Sequence, residues 1–209
     1  MDFVVGNPSY VRIHDLNINY KKFNFSKKGM TDLYIIFYEI GIKMLAEKGK
    51  LIYITPNSYF TSLAGSALRE FIYFNNKLNT IVNLKHFNPF SSVSTYVCIT
   101  ILTNNKNKNI NYLEYDKFFK KPEFISKLSY KNFYINNQFY FDRKENLLNF
   151  KKIINTPIDQ NIFVKNGVSS NLDSFYFNKN YSGKFIKEAI KISKLEKTKV
   201  FFLIMKKEN

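Results

Sequence analysis

Over the first 103 residues, apolar runs of strand length alternate with apolar residues at helical spacing, and few folds accommodate that order. Phe3 to Val5 reads as a short buried strand. Leu33, Ile36, Phe37, Ile40, Met44 and Leu45 mark one helix face between Asp32 and Glu47, with Thr31 as N-cap and Gly49 as the stop. Leu51 to Ile54 forms a second strand, closed by Pro56. A second helix is expected from about Ser62 to Phe74, with Leu63, Ala67, Leu68, Phe71 and Ile72 on one side. Leu78 to Leu84 and Thr95 to Leu102 are two further strands. Strand, helix, strand, helix, strand implies right-handed crossovers and a parallel sheet. The last two strands are joined by a stretch with no helical pattern, so they suit an antiparallel pair.

The first strand runs directly into Asn7-Pro8-Ser9-Tyr10. A strand that ends this way presents a side-chain amide oxygen, a free backbone carbonyl and an aromatic ring at one point. The Asn7 oxygen and the Pro8 carbonyl can each accept one hydrogen of a planar amine, such as the exocyclic N6 of adenine. Tyr10 can stack on the face of that base. As an isolated tetrapeptide the same residues also describe a plain turn.

Lys and Arg outnumber Asp and Glu by 32 to 16, a formal charge of +16 on 209 residues. Self-repulsion of that size is offset when a polyanion binds, which points first to nucleic acid and second to an anionic membrane surface. Lys, Asn, Ile, Phe and Tyr, all encoded by AT-rich codons, are abundant, so part of the charge reflects nucleotide bias. No apolar run has the length of a membrane span, and no signal peptide is visible, so a cytoplasmic protein is expected. The single cysteine, Cys98, excludes an intramolecular disulfide, and with only His14 and His86 no metal site is expected. After the polar run Asn104 to Asn109, periodicity weakens. Phe118-Phe119, Phe133-Tyr134 and Phe139-Tyr140-Phe141 sit among Lys and Asn, and a helical pattern returns only at Lys184 to Lys194.

Taken in order, residues 2–12, 29–60, 68–72 and 87–102 resemble the adenine-specific DNA methyltransferases of restriction-modification systems, the Asn-Pro-Pro-Tyr subgroup. The resemblance implies an α/β fold: the second half of a Rossmann-like methyltransferase sheet, with parallel strands and a terminal antiparallel strand, then a partial target recognition region. The expected division is 1–103 for the catalytic half and 104–209 for the start of recognition. The implied activity is methyl transfer from S-adenosylmethionine to adenine N6 in DNA, on a base extruded from the duplex. By the same resemblance Asn7, Pro8 and Tyr10 are catalytic, Tyr10 and Phe90 flank the base, and Asp32 lines the cofactor pocket. Asp32 also reads as an ordinary first-turn residue. Ser9 stands where the family usually has a second proline, which leaves both acceptors in place. Pro56-Asn57-Ser58-Tyr59 follows its strand as the first motif does, without an implied catalytic role. Gly167-Val168-Ser169-Ser170 resembles the entry to a recognition domain, or a plain turn.

The family's glycine-containing S-adenosylmethionine loop belongs upstream of Asn7, and Gly6, Gly29, Gly41, Gly49 and Gly65 are isolated. The acidic residue expected to hold the ribose is also missing. The expectation is therefore a chain that binds the cofactor poorly alone and works with DNA and a separately encoded N-terminal half or restriction subunit. The alternatives are a non-catalytic DNA-binding subunit, a remnant of a split gene, and an RNA or protein-glutamine methyltransferase. The basic aromatic tail speaks against the last.

Overall fold

The computed structural model describes residues 1–16, 19–90 and 95–156. The expected strands form β1 (Phe3–Gly6), β2 (Lys50–Pro56), β3 (Leu78–Asn83) and β4 (Val97–Thr103). Two helices lie between them, α1 (Leu33–Lys43) and α2 (Ser66–Phe74), both shorter than their periodicity suggests. The N-cap position of α1 is Asp32, extended and without a side-chain capping bond, so Thr31 does not cap it. Gly49 does not end this helix either. It sits in the turn into β2, where a Cβ would lie 2.6 Å from the Met1 carbonyl oxygen, so only a glycine fits.

Two strands follow that the sequence pattern did not suggest, β5 (Asn109–Asp116) and β6 (Lys121–Ser129). They form a long hairpin, and β5 pairs in parallel with β3. The polar run at Asn104 to Asn109 is therefore a connection within the sheet. The whole sheet has the order β1-β2-β4-β3-β5-β6. β1 and β2 are parallel, and the antiparallel β4 is inserted between β2 and β3. The architecture is a mixed α/β sheet of Rossmann-like type. Met1–Asn155 form one compact unit, and Thr156–Asn209 belong to a second. The Gly167–Ser170 motif and the Lys184–Lys194 helix lie outside the described residues.

One face of the sheet carries the main core. Leu51, Tyr53, Ile81, Leu102, Ile110, Tyr112 and Leu128 pack there with Tyr34, Ile35 and Tyr38 of α1 and Leu68 and Ile72 of α2. Gly41 lets α1 approach β2, since a Cβ there would collide with the Tyr53 hydroxyl and Leu51. The stretch after β6 extends this core. α3 (Tyr130–Phe133), the short pair β7 (Tyr134–Ile135) and β8 (Gln138–Phe139), and α4 (Lys144–Ile154) bring Phe133, Phe139 and Phe141 against it. Phe133 and Phe141 stack with ring centroids 5.2 Å apart. Among the described residues past Asn104, most of the aromatic side chains are thus in or against the core rather than exposed nucleic-acid ligands.

Candidate functional site

β1, β2, β3 and β5 run in one direction, so the loops that follow them lie at one end of the sheet. In open α/β sheets that carboxyl end is where ligands bind. Asn7 and Pro8 come immediately after β1, Asn57 to Phe60 after β2, and residues 84 to 90 after β3. Asn7 is exposed and Pro8 buried.

Tyr10 is the centre of this end. Its ring meets Phe90 edge-on at 6.3 Å and Tyr34 of α1 edge-on at 6.4 Å. Its hydroxyl donates to the Ile54 carbonyl at 3.4 Å, a long bond. It also packs on a small second cluster of Val82, Leu84 and Val97, on the side of the sheet away from α1. Burial and, secondarily, the Cys98 thiol push the Tyr10 phenol up to about 12, so it is a neutral ring at physiological pH. A neutral ring suits stacking better than proton transfer.

Behind Tyr10 lies a layer of tyrosines with satisfied hydroxyls. Tyr34 bonds Ser58 at 3.1 Å, Tyr38 bonds Thr55 at 3.0 Å and Tyr59 bonds Thr100 at 2.7 Å. Cys98 sits among them, fully buried, and burial pushes its thiol up to about 12, so it carries no nucleophilic thiolate. Tyr34 belongs to Asp32-Leu33-Tyr34, which by resemblance lies on the helix lining the cofactor pocket, and it sits in the first turn of α1. Sequence reasoning did not single out Arg69. Arg69 is buried in α2 and donates to the carbonyls of Tyr59, Ser62 and Asn137 at 2.6, 2.7 and 2.7 Å. It pins the loop after β2. Only its place on an otherwise apolar helix face signals it in the sequence.

Asp32 pairs with Arg12 in an isolated β-bridge, and the Leu33 N–H donates to Val11 at 2.8 Å, which ties the segment after Tyr10 to the start of α1. Partial burial raises the Asp32 carboxyl above its usual range, and Arg12 works in the opposite direction. Glu114 and Asp116, at the end of β5, are further carboxylates at this end of the sheet, and among the described residues no glycine-lined loop follows a strand there.

Residues 1–90 match the family model of the Eco57I restriction-modification methylase. The type II restriction enzyme and methyltransferase RM.Eco57I of Escherichia coli is 31% identical over 128 residues, which is 57% of this chain and 13% of that protein. The type II methyltransferase M.BstVI of Geobacillus stearothermophilus is 36% identical over 115 residues, 52% of this chain and 20% of that one. The chain thus spans a fifth or less of the length of these relatives. Among solved structures, a nuclease-deletion mutant of the type ISP restriction-modification enzyme LlaGI in complex with a DNA substrate mimic is similar. It has a TM-score of 0.46 and 19% identity, over 71% of this chain and 19% of that one. The type I restriction-modification methyltransferase subunit from Streptococcus thermophilus has a TM-score of 0.44 and 20% identity, over 77% of this chain and 33% of that one. No helix among the described residues is long and apolar enough to cross a membrane. Over residues 1–90, the chain is thus similar to the Eco57I restriction-modification methylases.

Proposed function

We propose that this chain supplies the acceptor side of an adenine-N6 DNA methyltransferase. The observation that carries the reading is the meeting of Tyr10 and Phe90 at 6.3 Å, beside the Asn7-Pro8 end of β1. An extruded adenine needs acceptors for its amino edge and an apolar face for its ring at one place. Asn7 Oδ1 and the Pro8 carbonyl accept the two N6 hydrogens. This keeps the nitrogen lone pair out of the ring and directed at the incoming methyl group. Tyr10 covers the base face, and Phe90 flanks it. Catalysis on this side is positioning and polarisation of one amine. S-adenosylmethionine, the family cofactor, supplies the methyl group, from a site completed by residues other than those described. A separately encoded methyltransferase half would fill that role. Residues 104–209 would begin target recognition.

A second reading, a DNA-binding subunit without its own chemistry, is favoured by the lack of a glycine-lined loop after a strand among the described residues. Co-expression with the neighbouring upstream reading frame separates the two, with N6-methyladenine in host DNA measured by mass spectrometry. The first reading expects methylation, and a loss of about a hundredfold or more in Asn7→Ala. Methylated cytosine in its place would refute the adenine assignment. DNA binding with no methylation would favour the second reading. In calorimetry the chain alone is expected to bind S-adenosylmethionine more weakly than micromolar.

A further inference from the structure

The end of the sheet that holds Tyr10 also holds the tip of the β5–β6 hairpin, where two exposed aromatic rings sit among lysines. Phe118 is 86% exposed and Phe119 63% exposed, and Phe124 farther along β6 is exposed as well. The Phe118 and Phe119 rings meet edge-on at 5.1 Å, and the Lys121 ammonium lies 5.6 Å from the Phe119 ring centre. Lys117, Lys120 and Lys121 surround them, all exposed. The turn is held in shape. Asp116 Oδ1 accepts the Phe118 and Phe119 N–H groups at 2.7 and 3.1 Å, and Lys120 adopts a left-handed φ of 51°. Of the acids nearby, Asp116 closes the turn and Glu114 pairs with Lys85 at 2.6 Å, while Glu123 of β6 is exposed.

On the inner side of the tip, Phe87 stacks on Tyr115 at 4.2 Å and 23°. A cleft of about 590 Å³ opens there between the loop after β3 and the hairpin, lined by His86, Phe87, Asn88, Tyr115, Lys117 and Lys120. The loop that forms one wall is the loop that brings Phe90 to Tyr10. Four strand spacings separate β1 from β5 in the sheet, or about 19 Å. At 3.4 Å per step that is about six base pairs along B-DNA, close to half a helical turn.

We propose that the β5–β6 hairpin is a DNA-docking ribbon, which enters a groove of the duplex about half a turn from the extruded base. The proposal rests on the DNA reading above and extends it to a second point of contact. A two-stranded ribbon fits the major groove. Lys117, Lys120 and Lys121 take backbone phosphates, and Phe118 and Phe119 pack against the sugars and bases between them. A protein partner for the exposed rings would not require three lysines around them, whereas a polyanion does.

Fluorescence anisotropy of the full chain on a labelled 20-base-pair duplex, titrated over a range of salt, tests this. Lys117→Ala/Lys120→Ala/Lys121→Ala should flatten the plot of log affinity against log salt by about 2.7, which is about 0.9 for each of the three phosphates no longer neutralised. Phe118→Ser/Phe119→Ser should weaken binding about tenfold and leave that slope unchanged. Lys48→Ala/Lys106→Ala/Lys108→Ala removes the same charge at the opposite end of the sheet and should change neither. An equal loss of slope in that control overturns the proposal, because the affinity would then be diffuse. So does an unchanged slope in the hairpin variant, or the absence of DNA binding by the unaltered chain. If the Phe118→Ser/Phe119→Ser change abolishes self-association and spares DNA binding, the tip is a protein contact and the proposal falls. Methylation does not enter these readouts, so the adenine assignment and the ribbon fail separately.

Discussion

β1 and β6 close the same sheet at opposite edges, and they are built differently. β6 is nine residues long and carries Lys121, Pro122, Glu123 and Lys127, all exposed. Charge and a proline that lacks an N–H are the usual means of stopping another strand from pairing. β1 is four residues, Phe3-Val4-Val5-Gly6, with neither charge nor proline. Val4 packs on the main core, while Phe3 is 63% exposed and Val5 70% exposed on the other face. The difference teaches that one edge is finished and the other is suited to a further neighbour.

The largest effect expected from this contrast is on association. The chain should self-associate through β1, and Phe3→Lys/Val5→Lys should leave a monomer, as read by light scattering. Lys127→Val on β6 should produce only a slight increase in association. A chain that is monomeric without any change would break the comparison. The next effect concerns the residue that spans the two regions, since Arg69 joins the loop after β2 to the β7–β8 turn. Arg69→Met leaves three carbonyls without their donor and should cost about 3 kcal/mol in denaturant unfolding. A loss under about 1 kcal/mol would mean that the two regions are held together by apolar packing alone.

Glu39 gives a smaller, pH-dependent effect on the β1 side. It is buried in α1, pairs with Lys43 at 2.6 Å and accepts the Phe25 N–H at 2.9 Å. Burial works to raise its carboxyl, but Lys43 and that N–H outweigh it and hold the carboxyl below its usual value. A depressed folded-state value means that the contribution is complete above the ordinary carboxylate range and fades as the pH falls through it. Glu39→Gln should therefore cost about 1 kcal/mol at neutral pH, with the difference closing in acid. A constant difference across pH would show that the charge is irrelevant. The smallest effect compares two tyrosine hydroxyls, one at the carboxyl end of the sheet and one on β5. Tyr10→Phe removes only the 3.4 Å bond to Ile54 and should stay within about 0.5 kcal/mol of the parent. Tyr112→Phe, beside β3, removes a 2.6 Å bond to Glu114 and should cost about 1 kcal/mol. The reverse order would mean that the Tyr10 hydroxyl is structural.

The four strands and two helices of residues 1–103 were legible because their patterns are local. Ile52 and Ile54 alternate with Leu51 and Tyr53, and Leu33, Ile36, Phe37, Ile40 and Met44 recur at helical spacing, whatever the rest of the chain does. The spacing gave the helix but not its buried face, since Phe37, Ile40 and Met44 are exposed and Tyr34, Ile35 and Tyr38 enter the core. The Asn7 to Tyr10 motif was legible for the same reason, since strand end and motif are contiguous. Strand order was not. The placement of β4 between β2 and β3 depends on pairing between residues some fifty apart, such as Tyr53 with Thr100, which no local window contains. The β5–β6 hairpin was obscured because its residues are mixed polar and aromatic, and only pairing with β3 makes them a strand. Chemical type likewise did not tell Phe133, which is core, from Phe118, which is exposed. The sequence by itself determined which segments of residues 1–103 are strand or helix and that the Asn7 to Tyr10 motif follows the first strand. The tertiary structure alone decided which aromatic residues reach water and which loops meet at one end of the sheet, because burial and strand pairing are set by distant partners.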